Sequence, residues 1–201
     1  MDTQRFHDAI RRIDAANADD PHTLIVNGEA RPKELTHAAM LTDWVRRLRP
    51  DAGEALLLAA RAHHIRRWSI PRDDYPSGRR GYLRWRTALH AMHAAEVGRV
   101  LQEAGYDADE IARVQQLVRK HNLTRDPEAQ TLEDGLCLVF LETQFADLRA
   151  QHPAEKIADI VQKTWRKMSP AARELALELD LPSDDRAALE QALVGDTAPS
   201  A

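Results

Sequence analysis

The chain has 201 residues and a formal net charge of −4; a core of this size buries about 70% of the unfolded surface, so no covalent staple is needed, and the acidic balance argues against general affinity for nucleic acid. A single cysteine, Cys137, excludes an internal disulfide and a Cys-x-x-Cys metal motif and suits a reduced, cytoplasmic setting. The opening MDTQRFHDAIRRID lacks the apolar region of a signal peptide, and no apolar run approaches the ~20 residues that span a bilayer.

Apolar residues recur at spacings of three and four, and no stretch alternates cleanly with period two. The spacing predicts a first helix over Thr3–Asn17, with Phe6, Ala9, Ile10 and Ile13 on one face. Asp19–Pro32 reads as a loop with a short extended piece at Leu24–Val26, before Asn27-Gly28. Lys33–Leu48 is a helix that stops before Pro50, and Glu54–Arg67 one that ends before Pro71. After a loop over Arg72–Gly81, a long helix covers Tyr82–Ala104 and is closed by Gly105. Asp107, with Glu110 three residues on, reads as a capping box opening a helix to His121. Helices over Gln130–Arg149 and Pro153–Met168 follow, then one opened by Ser169-Pro170 that runs to Asp180, and a last one from Ser183 to Leu193. The expectation is an all-α, single-domain bundle of roughly eight helices over residues 1–195, with a disordered tail at 196–201.

Polar residues interrupt several of the inward stripes. His37 precedes Leu41, Trp44 and Val45 by a turn; His93 lies among Leu89, Val97 and Val100; His121 follows Val114, Leu117 and Val118. His63 and His64 end the helix that carries Leu56 and Leu57, and Asp134 begins the stripe of Leu138, Leu141 and Phe145. One inward histidine is an ordinary core residue more often than a ligand. A carboxylate on an apolar face costs several kcal/mol unless it is paired or bound to metal. Five inward histidines and an aspartate together form the usual ligand set for Zn, Fe, Mn or Ni.

Seven arginines, Arg66, Arg67, Arg72, Arg79, Arg80, Arg84 and Arg86, fall within 21 residues, interleaved with Trp68, Tyr75, Tyr82 and Trp85. A solvated loop with arginines paired to Asp73 and Asp74 would explain them. So would an anion site, because guanidinium forks match phosphate and carboxylate and stack on flat rings. The loop leaves directly from His64, which places its first residues beside any site there. On the anion-site reading, Arg66, Arg67, Trp68, Arg72, Tyr75, Arg79 and Arg86 are candidate substrate contacts, and Lys120 adds a positive charge.

The order His37, His63-His64, His93, His121, Asp134 resembles the HD-domain superfamily of metal-dependent phosphohydrolases, over about Glu34 to Phe145. The segment "LLLAARAHHIRR" is similar to that family's apolar helix ending in a His-Asp pair, and "LEDGLCLVFLE" to the helix that holds its last aspartate. Over nearly the whole chain, "RWSIPRDDYPSGRRGYLRWR", "QTLEDGLCLVFLE" and "KTWRKMS" resemble an uncharacterised family, the domain of unknown function 4202. The HD resemblance implies a divalent transition metal (Zn, Mn, Fe or Ni) on His37, His63, His64 and Asp134. His93, His121 and Lys120 would then serve in catalysis, as proton carriers, charge or ligands of a weaker second ion. His64 stands where the superfamily has an aspartate; a neutral imidazole offers one lone pair and serves one metal, which favours a single ion over a bridged pair.

The function expected is a metal-dependent hydrolase acting on a phosphorylated small metabolite or nucleotide. An HD-type di-iron oxygenase and a non-catalytic metabolite-binding module are the alternatives. The expected partner is a small anionic molecule, with no nucleic acid and no membrane; a homodimer is compatible with the sequence.

Overall fold

A computed structural model describes residues 3–26, 28–120 and 125–194. The predicted tail at 196–201, His121 and Asn27 lie outside the described residues. The protein is all-α apart from one small hairpin, and the helices are α1 (Thr3–Ala18), α2 (Lys33–Leu48), α3 (Glu54–Ala62), α4 (Gly78–Glu103), α5 (Ala108–Val118), α6 (Pro127–Thr143), α7 (Phe145–Gln151), α8 (Ala154–Trp165), α9 (Pro170–Glu178) and α10 (Ser183–Val194). Two short 3-10 turns, Arg67–Ser69 and Arg72–Asp74, shape the basic loop. Strands β1 (Thr23–Val26) and β2 (Glu29–Pro32) pair antiparallel, with Thr23 opposite Pro32. The expected extended piece is therefore one arm of a hairpin whose second arm, EARP, lacks strand-forming residues.

Contacts divide the chain into two compact units, Met1–Leu132 and Glu133–Ala201. Nothing in the sequence marks this division, because it falls inside α6 rather than in a linker. Among the described residues, no helix is long and apolar enough to cross a membrane.

In the first unit, α3 is the central element. Leu56 to Ala60 and Ala62 are all buried, the pattern of a helix covered on every side, and α1, α2 and α5 pack against it. Its one charged interior residue, Arg61, is answered by Asp14, with Nε at 2.5 Å and Nη2 at 2.8 Å from the carboxylate. The helix ends at Ala62, five residues before the predicted end at Arg67. Arg66 takes the left-handed conformation, φ 51°, and its N–H donates to Oδ1 of the fully buried Asn17 at 3.1 Å. A left-handed residue just past a helix turns the chain away from the axis, so His63 and His64 sit in the turn itself.

The basic loop is folded back on α4. Arg72 donates to the carbonyls of Tyr75 and Pro76, at 2.8 and 3.0 Å, and Trp85 Nε1 donates to the Ile70 carbonyl at 2.9 Å. Gly81, buried in the first turns of α4, faces Pro76 so closely that a Cβ would lie 1.7 Å from the Pro76 oxygen. At the far end Gly105 has φ +84°, as the predicted glycine stop requires. Asp107 and Glu110 form the predicted capping box of α5, with bonds of 2.9 and 3.0 Å.

In the second unit the predicted Gln130–Arg149 helix breaks at Gln144 (φ −128°, ψ −17°), giving α6 and α7. Ser169 caps α9 through the Ala172 N–H, with Pro170 in the first turn, as its sequence signature predicts.

Gly81→Ala is expected to lower stability by about 2 kcal/mol or more, because the clash is with backbone and no side chain can yield. Chemical denaturation checks this; an unchanged midpoint would mean that the loop is not seated on α4.

Candidate metal and anion site

The site begins at the N-terminus of α2. Its residue Pro32 supplies no capping side chain; instead Asp20, from the preceding loop, accepts the Glu34 N–H at 2.9 Å and the His22 N–H at 2.9 Å. An acceptor for an orphan N–H in the first turn stabilises a helix by about 1 kcal/mol. This fixes Glu34, which is 5% exposed, and, one turn later on the same face, buried His37.

Glu34 is held between three cationic or hydrogen-bonding groups. His64 Nδ1 lies 3.1 Å and His37 Nδ1 3.7 Å from Oε2, while Arg67 Nε is 3.8 Å from Oε1. Burial pushes the Glu34 carboxyl up, but the His64 and His37 contacts outweigh it and hold the group well below the usual carboxylate range. The carboxylate is therefore ionised.

Glu34, His37 and His64 each offer a ligand atom, and these atoms lie within 4.8 Å of one another. Two donors about 2.1 Å from one ion, at tetrahedral or right angles, are separated by roughly 3.0–3.4 Å; of the observed separations from Glu34 Oε2, 3.1 Å to His64 falls within that span and 3.7 Å to His37 lies just beyond it. A carboxylate with two imidazoles also matches transition-metal preferences. The cluster can hold such an ion.

His64 has a second neighbourhood. With His63, Arg67, Tyr82, Arg86, Leu89, His90, His93 and Lys120 it lines a cavity of about 220 Å³. The His63 and His64 rings are 4.7 Å apart, and His64 and His93 5.8 Å. Among the described residues the lining holds the cations Arg67, Arg86 and Lys120 and no carboxylate, and Arg67 is shared with Glu34. Arg67 lies over the Trp85 ring at 4.9 Å and Arg86 over Tyr82 at 5.9 Å, contacts that orient both guanidiniums.

The histidines add lone pairs rather than charge. His93, 1% exposed, engages the Ile65 carbonyl through Nδ1 at 2.8 Å. A carbonyl only accepts, so Nδ1 carries the proton and Nε2 the lone pair. Among the described residues, neither His93 Nε2 nor His63 Nδ1 has a partner. Burial is the leading cause that lowers His93 to about 3 and His90 to about 4, with the positive neighbours adding to it. Burial likewise holds His63 well below its ordinary value, and His64 is lowered by burial against the opposing pull of Glu34.

Several expected site residues come together: His37 and His64 at the cluster; His63, His64, His93, Arg67, Arg86 and Lys120 at the cavity. Others are placed elsewhere. Asp134 lies in the second unit, where Oδ1 accepts the Ser169 N–H at 2.8 Å. His63 contributes to the cavity and not to the cluster. Arg72 is committed to the loop carbonyls of Tyr75 and Pro76. Arg66, Trp68, Tyr75 and Arg79 do not line the cavity. Three contributors were not singled out from the sequence: Glu34, His90 and, as a lining residue, Tyr82. Glu34-x-x-His37 and His90-x-x-His93 both carry the i, i+3 spacing that puts two side chains on one face, which was the available signal.

A family model described as Domain of unknown function (DUF4202) matches residues 7–189. The chain belongs to this family. Comparisons with curated proteins and with solved structures find no match.

The pH dependence of stability follows from the neutral histidines. An unfolded histidine binds a proton near 6.5; His93 in the folded chain does not until about 3. Between those values the unfolded state binds more protons, so stability falls as pH falls. Glu34, with its lowered value, adds to the loss below about 4.5. In chelator-treated protein, the loss of unfolding free energy between pH 6 and 4 should be shallower in His93→Gln, by up to about 1.4 kcal/mol per pH unit. Parallel pH curves for the two proteins would show that His93 is not held neutral.

Proposed function

We propose that the protein is a metal-dependent hydrolase of a small phosphorylated molecule, with the ion on Glu34, His37 and His64 and the phosphate in the adjoining cavity. The observation that carries this reading is the double membership of His64, which belongs both to the cluster and to the cavity lining. An ion in the first would share His64 with an anion in the second. A bound divalent ion would polarise a phosphoryl oxygen and lower the pKa of its water.

The chain's own residues do the rest. Arg67, Arg86 and Lys120 neutralise the phosphate, the arginines by paired N–H donors. Without an ion, Glu34 accepts a hydrogen bond from His64 Nδ1; as fellow ligands the two would give that bond up. His93 is fixed as an acceptor by the Ile65 carbonyl, so it takes a hydrogen bond or proton and cannot give one near neutrality. Kinship with the HD-domain superfamily forms part of this proposal and rests on the order of the histidines along the chain. If it holds, the carboxylate ligand has moved to α2, as Glu34, and His64 replaces the paired aspartate.

Two histidines and one carboxylate also form the facial set used by mononuclear iron oxygenases, which keeps an oxygenase as the second reading.

Protein purified without an affinity tag, stripped of metal and reloaded with Zn, Mn, Fe or Ni, should hydrolyse at least one phosphomonoester of a small-molecule panel. The rate should fall at least 100-fold in His64→Ala and Glu34→Gln with the far-UV spectrum unchanged. Oxygen uptake by the iron form without phosphate release would favour the oxygenase; phosphomonoester binding without turnover in any metal form would leave a binding module and overturn the hydrolase.

A further inference from the structure

The cavity constrains its ligand more tightly than its charge does. At about 30 Å³ per water in the liquid, its ~220 Å³ corresponds to roughly seven waters, below the ~300 Å³ at which pockets begin to enclose drug-sized ligands. Its aromatic neighbours are already occupied, since Arg67 covers Trp85 and Arg86 covers Tyr82. A nucleobase would have to displace one of the guanidiniums that hold the phosphate.

The lining is also not purely a set of donors. His93 Nε2 is a buried lone pair whose tautomer is fixed from behind by the Ile65 carbonyl, and among the described residues it has no partner. His63 Nδ1 is a second buried ring nitrogen without one. A buried acceptor left unanswered is destabilising, so a ligand that donates to it gains affinity. A bare phosphate dianion cannot answer it, because above its second pKa near 6 the group carries no proton to donate.

We infer that the cavity selects a short-chain phosphomonoester that also carries a hydroxyl, with the phosphate on Arg67, Arg86 and Lys120 and the hydroxyl donating to His93 Nε2. The ligand class is a phosphorylated polyol or short sugar, and not a nucleotide. This rests on the anion-site half of the proposed function and not on the metal.

The test compares two ligands of the same charge and nearly the same size, sn-glycerol 3-phosphate and n-propyl phosphate, by calorimetry at pH 8 on the full-length, metal-stripped protein. Glycerol 3-phosphate should bind about tenfold more tightly, with AMP no tighter than propyl phosphate. In His93→Leu the ratio should drop to within about twofold of one, whereas Arg86→Ala should weaken both ligands and keep the ratio. Should His93→Leu fail to fold, the wild-type His93 Nε2 nitrogen shift reads the same contact and should move on adding glycerol 3-phosphate but not propyl phosphate. Equal affinity for the two ligands, or tighter binding of AMP, overturns the hydroxyl inference alone. Failure of both phosphates to bind at 10 mM overturns it together with the anion site.

Discussion

A carboxylate in the interior must be answered, and the answer to Glu34 organises the site. Leaving one ion of a buried pair unpaired costs on the order of 3–5 kcal/mol, so Glu34, 5% exposed, draws in whatever positive or hydrogen-bonding groups the fold can bring. Those groups come from one stretch of chain beyond its own helix: His64 and Arg67, in the turn that ends α3. The same turn carries His63 and leads into the basic loop. Through this one residue, the start of α2 is tied to the end of α3. Asp20 completes the tie by capping α2 at the Glu34 N–H.

The two faces of His64 follow from that tie. One edge of the ring is turned to Glu34, and the residue also lines the cavity below α4. Arg67 is likewise shared: its Nε approaches Glu34, its guanidinium covers Trp85, and it lines the cavity. Burial lowers Arg67 and Glu34 opposes that shift, so the carboxylate supports a cation in a place where desolvation would otherwise disfavour one. Negative charge at the cluster and positive charge at the cavity thus belong to one arrangement. Such opposed charges side by side suit a metal ion next to an anionic ligand.

The helices were legible because their signals are local. The capping box at Asp107 and Glu110, the Ser169-Pro170 start and the Gly105 stop are each set by a few neighbouring residues, and each stands where its sequence puts it. His37, His63, His64 and His93 were legible as polar residues on apolar faces. What could not be read was which partners they would meet. Glu34 was passed over because an acid in the first turn of a helix is ordinarily a response to the helix dipole; its burial depends on the hairpin and on α3. Asp134 was read correctly as buried, but a backbone N–H of Ser169 meets it, and backbone partners leave no mark in composition. Arg72 belongs to the basic cluster in sequence, yet its donors go to two carbonyls four residues away or fewer. The early end of α3 rests on Arg66 and Asn17, 49 residues apart, a pairing that no local rule contains.

The central claim is that Glu34, His37 and His64 hold one metal ion. Anomalous diffraction from crystals of tag-free protein grown with zinc or manganese tests it most directly. A single peak is predicted about 2.0–2.2 Å from one oxygen of Glu34 and one ring nitrogen each of His37 and His64. A fully metallated crystal with no peak at those three residues, or with its peak on other side chains, would contradict it.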